Sequence, residues 1–169
     1  MFKNTIFRRM TALVLTLALA AAAALPGLAV YPMPIQTASE TEAVYLFNAD
    51  TGKTILNQNA DQQQYVASLT KLMTALLLLE SGKDLNGEVT VPTALTQEFR
   101  DIQNANGTTM GLRIGETVRR IDLLNALLIT SANDAASVIA WDVGGSLNAF
   151  IQQMNARAAE LGCTSATFT

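Results

Sequence analysis

The sequence predicts a mixed α/β fold of the α+β kind, a helical cluster with an antiparallel sheet. Two observations carry this expectation. A hairpin pattern follows residue 42, with β-branched and aromatic residues on both sides of a glycine-containing turn. Further on, long segments repeat apolar residues at helical spacing and are bounded by capping residues and glycines. The length of 169 residues suits about one domain.

The N-terminus sets the compartment. Lys3, Arg8 and Arg9 precede an apolar run over 11–25, then Pro26, and small residues at Gly27 and Ala29. That order predicts a secretory signal peptide over 1–29, cleaved after Ala29. The competing reading is a retained anchor, but the run is shorter than the ~20 residues a spanning helix needs. Residues 30–41, with Pro32 and Pro34, read as a linker, and 42–169 as the folded domain. Without 1–29 the chain keeps eight basic against fourteen acidic residues, a net charge of −6. An acidic chain without a basic cluster argues against a nucleic-acid partner. Cys163 is the only cysteine and the chain has no histidine, so neither an internal disulfide nor a Cys/His metal site is expected.

The elements follow in order. Ala43, Val44, Tyr45, Leu46 and Phe47 make a strand, 48–53 a turn, and Thr54, Ile55 and Leu56 return antiparallel. Residues 57–65 are polar loop. A helix over 68–80 stops at Gly82. Its Leu72, Met73, Leu76, Leu77 and Leu79 cover most of the circumference, which predicts a buried helix. Residues 88–91 form a short strand before Pro92, and 103–109 an Asn- and Gly-containing loop. Thr117 is placed to N-cap a helix over 118–129, with Ile121, Leu124, Leu127 and Leu128 at helical spacing. Residues 130–133 interrupt it. Helix resumes over 134–143 and ends at Gly144-Gly145. Ser146 caps a last helix that runs to Leu161 and closes at Gly162.

Ser68-Leu69-Thr70-Lys71 is the motif that carries chemistry. A serine hydroxyl is a weak nucleophile until a base takes its proton. A lysine three residues later on a helix lies on the same face, and desolvation would lower its pKa toward use as that base. With no histidine, a Ser-His-Asp triad is excluded. The plainer reading makes Ser68 a helix cap and Lys71 a solvated lysine. Against it, Lys71 sits inside an apolar stretch. Ser131 and Asn133 break a second apolar helical pair and could face the first helix, or could simply cap the helix that begins at Asp134.

Residues 65–74 (YVASLTKLMT) resemble the S-x-x-K segment of serine-type D-alanyl-D-alanine carboxypeptidases, the low-molecular-mass penicillin-binding proteins. Gly115-Glu116-Thr117-Val118, Asp122-Leu123-Leu124 and Ser131-Ala132-Asn133-Asp134-Ala135-Ala136 resemble their second motif region. The resemblance runs from about Glu42 to Thr169. It implies a β-lactamase/DD-peptidase-like fold. It also implies that Ser68 attacks the carbonyl between two D-alanines of a peptidoglycan stem peptide, with Lys71 as base. Terminal D-alanine would leave from an acyl-enzyme that water then hydrolyses. Ser131 would relay a proton to the leaving amine, and Asn133 would bind substrate and orient Lys71. β-Lactams would acylate Ser68. No metal or organic cofactor is implied, and the site of action would be the extracytoplasmic face of a bacterial membrane or the cell wall.

Two departures from the family pattern bear on function. Val66 stands where proline is frequent, a small change. More important, no K-T-G follows Asn133, and Lys83 is the last lysine. In the family that strand walls the site and supplies one oxyanion-hole N–H. The chain is therefore expected to be the N-terminal part of a DD-peptidase domain, ending before the later strands. Membrane contact would come only through the signal peptide or a C-terminal helix outside this chain. Two alternatives to a turning-over carboxypeptidase stand beside it: a penicillin-recognising sensor module acylated without turnover, and an inactive truncated fragment.

Overall fold

The computed structural model of the protein describes residues 41–169. The expected leader and all but the last residue of the expected linker lie outside the described residues. The described chain forms two units divided after Ala60.

The first unit holds a hairpin of β1 (Val44–Asn48) and β2 (Lys53–Gln58), paired antiparallel from Val44 opposite Gln58 to Asn48 opposite Lys53. The register shifts between Leu46 and Phe47, a local bulge. The turn forms because the Asn48 side chain accepts the Thr51 N–H at 2.9 Å while Gly52 takes the left-handed conformation at φ 66°. Strand β2 runs on through Asn57 and Gln58, which the sequence assigns to loop. Polar side chains do not stop backbone pairing where one face meets water.

In the second unit, α1 (Thr70–Glu80) follows a 3₁₀ turn at Ala67–Leu69. Then come β3 (Glu88–Thr90), α2 (Thr96–Asn104), β4 (Thr117–Arg119), α3 (Arg120–Asn125), α4 (Asn133–Gly144) and α5 (Leu147–Glu160). Helix α4 is the hub, packing on α1, α2, α3 and α5. Its Ala135, Val138 and Ile139 are fully buried beside Leu78, Leu95, Leu123 and Leu127. A smaller cluster of Ala140, Phe150 and Met154 joins α4 to α5. The elbow between them is tight: a Cβ on Gly144 would lie 2.7 Å from Phe150 Cβ. Gly145 then leaves the helix at φ 74°, and the Ser146 hydroxyl accepts the Ala149 N–H as α5 begins.

Four expectations need correction. Helix α1 is not buried all round: Thr74, Ala75 and Leu78 face the core, but Leu72 and Leu79 are 59% and 55% exposed. Its buried stripe is the one that meets α4, and the leucines opposite are left largely exposed. Residues 117–119 are strand, not the start of a helix. Val118 pairs with Val89, and the Arg120 and Ile121 N–H groups donate to the Gly87 and Leu85 carbonyls. Those partners satisfy the helix start that Thr117 was expected to cap. Helix α2 was not foreseen, and it shortens the 103–109 loop. Finally, Asn133 is the first residue of α4, not its cap; Ala132 holds the cap position without a side-chain bond.

Two ion clusters fasten the helices. Asp142 on α4 takes a bidentate pair from Arg120 at 2.7 and 3.0 Å, with Lys83 at 3.5 Å. Arg157 on α5 forks onto Glu80 at the end of α1 at 2.8 and 2.9 Å. Burial alone would raise the Asp142 pKa, but the Arg120 hydrogen bonds and the charges of Arg120 and Lys83 outweigh it, so its carboxyl lies below the ordinary value. A carboxylate held low contributes stability in full above its unfolded pKa and loses it as pH falls through the lowered one. Arg120→Ala should cost about 3 kcal/mol, the low end for breaking a buried pair, because Lys83 remains. Thermal unfolding at pH 7 checks the loss, and the wild-type advantage over Arg120→Ala should shrink as acid protonates Asp142.

Candidate active site

Three of the four sequence-predicted residues meet. Ser131 Oγ lies 2.7 Å from Ser68 Oγ and donates to it, and Lys71 Nζ lies 3.4 Å from the same oxygen. Ser68 belongs to the 3₁₀ turn that leads into α1, so its hydroxyl stands at the mouth of the helix, exposed. Lys71 is in the first helical turn behind it, half-buried. Desolvation lowers the Lys71 pKa below the ordinary 10.5. Among the described residues no carboxylate pairs with Lys71, so no neighbouring charge restores it. The shift is in the direction that favours loss of the amine's proton.

Ser131 reaches Ser68 through an unusual stretch of backbone. After α3 the chain widens into a π turn at Ala126–Thr130, which closes with Thr130 Oγ1 donating to the Ala126 carbonyl at 2.8 Å. Ser131 itself is left-handed, at φ 59° and ψ 34°. Ala67, immediately before Ser68, is also left-handed at φ 46°. Non-glycine residues there cost roughly 1–3 kcal/mol each and persist only where the surroundings hold them. Both hydroxyls of the pair thus stand at, or next to, a strained residue.

Asn133 is placed at the same end of α4 but makes a different set of contacts. Its backbone N–H donates to the Thr108 carbonyl at 2.8 Å and its carbonyl accepts from Ser137 Oγ at 3.2 Å. Its side-chain amide has no partner among the described residues, to Lys71 or otherwise, and is not sealed off from solvent.

Sequence reasoning missed Asp134. It is 3% exposed, and its carboxylate accepts the N–H groups of Met110, Gly111, Leu112 and Ala135 at 2.9–3.0 Å. The charge is neutralised by backbone dipoles and the first turn of α4, with no cation in contact. An acid in a first turn is a visible signal, but the loop that it holds lies more than twenty residues earlier. Among the described residues no cluster of His, Cys, Asp or Glu is arranged to hold a metal. Chemically, the site offers a hydroxyl between an amine of lowered pKa and a second hydroxyl, beside an amide with free hydrogen-bonding capacity.

A family model described as D-alanyl-D-alanine carboxypeptidase matches residues 32–169. A D-alanyl-D-alanine endopeptidase of Pseudomonas aeruginosa is 33% identical over 130 residues, 77% of this chain and 40% of that protein. The D-alanyl-D-alanine carboxypeptidase DacF of Bacillus subtilis is 31% identical over 136 residues, 79% of this chain and 33% of that protein. Among solved structures, the Streptomyces K15 DD-transpeptidase superimposes with a TM-score of 0.67 at 30% identity, over 74% of this chain and 49% of that one. This chain thus spans well under half the length of these two curated relatives.

Asp134→Asn offers one acceptor oxygen where the carboxylate has two, and turns an NH2 toward the loop donors. It should destabilise the protein by about 3 kcal/mol, as expected when buried donors lose a charged acceptor. Hydrogen exchange should rise first at the amides of residues 110–112. Unchanged exchange there would mean that the loop is held by other contacts.

Proposed function

The chain belongs to the D-alanyl-D-alanine carboxypeptidase family and has the fold of the penicillin-binding DD-peptidases; on that premise we propose that Ser68 is the nucleophile of a serine-type D-Ala-D-Ala carboxypeptidase acting on peptidoglycan stem peptides. The observation that carries the proposal is the 2.7 Å contact of Ser131 with Ser68, with the depressed-pKa amine of Lys71 on the other side. Neutral Lys71 takes the Ser68 proton as Oγ bonds to the carbonyl carbon of the penultimate D-alanine. The C–N bond then breaks. Ser131, hydrogen-bonded to Ser68 and thus close to the departing nitrogen, passes it a proton and is reprotonated by Lys71 with the proton taken from Ser68, and terminal D-alanine leaves. Water, giving up a proton to the same relay, attacks the ester and frees Ser68. The accessible Asn133 amide hydrogen-bonds the substrate backbone. A β-lactam presents an amide of the same shape and acylates Ser68. Action on stem peptides places the protein outside the cytoplasmic membrane, in keeping with the leader pattern at 1–29.

The family includes proteins named as endopeptidases, and the site chemistry described here serves either cleavage. The full-length protein should release D-alanine from a D-Ala-D-Ala pentapeptide. Cleavage of cross-linked dimers alone would make it an endopeptidase, and a stable acyl-enzyme with no product would make it a sensor. Ser68→Ala should abolish covalent labelling by a fluorescent penicillin; surviving labelling would remove Ser68 from its role.

Lys71→Arg separates charge from basicity, because arginine cannot give up its proton at usable pH. It should lose at least ~10²-fold in acylation rate, the lower range for a general base. In the wild type, acylation should rise with pH as Lys71 deprotonates, with a midpoint below 10.5. That rise should vanish in Lys71→Arg. A wild-type profile that is flat across the range would make Lys71 a fixed charge instead.

A further inference from the structure

Gly107 lies in the loop between α2 and β4. Its N–H donates to the Ile102 carbonyl at 2.8 Å, which ties it to α2. The next residue, Thr108, gives its carbonyl to the Asn133 N–H, and the carboxylate of Asp134 holds Met110, Gly111 and Leu112. The loop is thus fixed to α2 on one side and to the start of α4 on the other. A Cβ built on Gly107 would lie 2.9 Å from Asn133 Nδ2, with Ile102 Cγ2 at 3.0 Å and the Ile102 carbonyl oxygen at 3.1 Å. The space that a side chain at 107 would fill is therefore taken by the Asn133 amide and by Ile102, and a Cβ there would have to displace one of them.

We propose that Gly107 is a positioning residue: its lack of a side chain leaves open the space that the Asn133 side-chain amide occupies, and so sets the orientation of that amide. The proposal rests on the substrate-binding role given to Asn133 above. With the loop held at both ends, an added methyl group at 107 is relieved chiefly by rotation of Asn133. That amide is the free end of a rotatable side chain and has no partner of its own to break. Ile102 yields by only a few tenths of an ångström. Turning the amide away from a bound peptide removes a hydrogen bond and misplaces the reacting carbonyl, and a misplacement near 1 Å costs up to ~10²-fold in rate.

The test is a double-mutant cycle on the full-length protein, with Gly107→Ala, Asn133→Ala and both together. The readouts are the second-order rate of penicillin acylation and the melting temperature. Gly107→Ala alone should slow acylation by ~10- to 10²-fold while Ser68 is still labelled at long times. In the Asn133→Ala background the same change should add almost nothing, because its target is gone. Additive effects would mean that Gly107 acts on loop stability, and would overturn the proposal. Should Gly107→Ala fail to fold, Asn133→Ala restores folding if the methyl meets Asn133; no rescue places the clash at Ile102 and overturns the proposal equally. A second arm does not depend on activity. The Asn133 side-chain NH2 resonances, assigned by their loss in Asn133→Ala, should shift in Gly107→Ala, with the α4 backbone amides unmoved; unshifted NH2 signals overturn the proposal. If the wild type takes no penicillin, the reading of Ser68 fails, and the resonance arm still decides whether Gly107 sets Asn133.

Discussion

A carboxylate sealed from water must find its compensation in the protein, and the Asp134 site shows how much follows from that requirement. Four backbone N–H groups surround its two oxygens, three of them from a loop more than twenty residues upstream. Leaving those donors unpaired would cost roughly 1–3 kcal/mol each. The loop is therefore committed to the start of α4. Once it is there, the Thr108 carbonyl meets the Asn133 N–H, and the place where a side chain at Gly107 would stand is filled by the Asn133 amide. A single buried charge thus organises one wall of the site without belonging to its chemistry.

The opposite wall is built from helix geometry. α1 is fixed at its far end by Arg157 on Glu80 and along its length by Thr74, Ala75 and Leu78 against α4. That leaves the 3₁₀ turn before it, with Ser68, exposed, and Lys71 half-buried in the first helical turn behind. The amine loses solvation there without gaining a counter-charge, which is the condition for a lysine to act as a base. Strain at Ala67 and Ser131 accompanies the meeting of the two hydroxyls.

Much of this was legible in the sequence, for local reasons. The β1–β2 hairpin follows from a Gly-containing turn between β-branched runs, and α5 from Ser146 and Gly162 at its ends. Ser68 and Lys71 are three residues apart across the start of one helix, so their approach follows from spacing, and of the polar break at 131–133 Ser131 reaches Ser68 while Asn133 does not. What failed depended on partners distant in sequence. Thr117 looks like a cap until Glu88–Thr90 is there to pair with it. Helix α2 has only Phe99 and Ile102 as apolar residues among nine, too faint a stripe to announce a helix. Asn133 has the chemistry of a cap, yet the Thr108 carbonyl draws it into the helix. The exposed leucines of α1 carry the same lesson, since composition says that a helix is apolar but not which of its sides has a neighbour.

The π turn at Ala126–Thr130 also sets how this part of the chain tolerates change in length. A π turn holds one residue more than an α-helical turn, and each residue of an α-helix advances the chain by about 100°. Loss of one residue between 126 and 130 would let the turn relax into an ordinary helix. Where the residue lost is the exposed Leu128 or Ile129, the buried Leu127 would survive, but Ser131 would be carried around the axis and away from Ser68. Substitutions in this stretch act one side chain at a time, whereas a one-codon deletion acts on the phase of everything after it. The spacing between Leu124 and Ser131 is therefore as much a part of the site as the hydroxyl that it delivers.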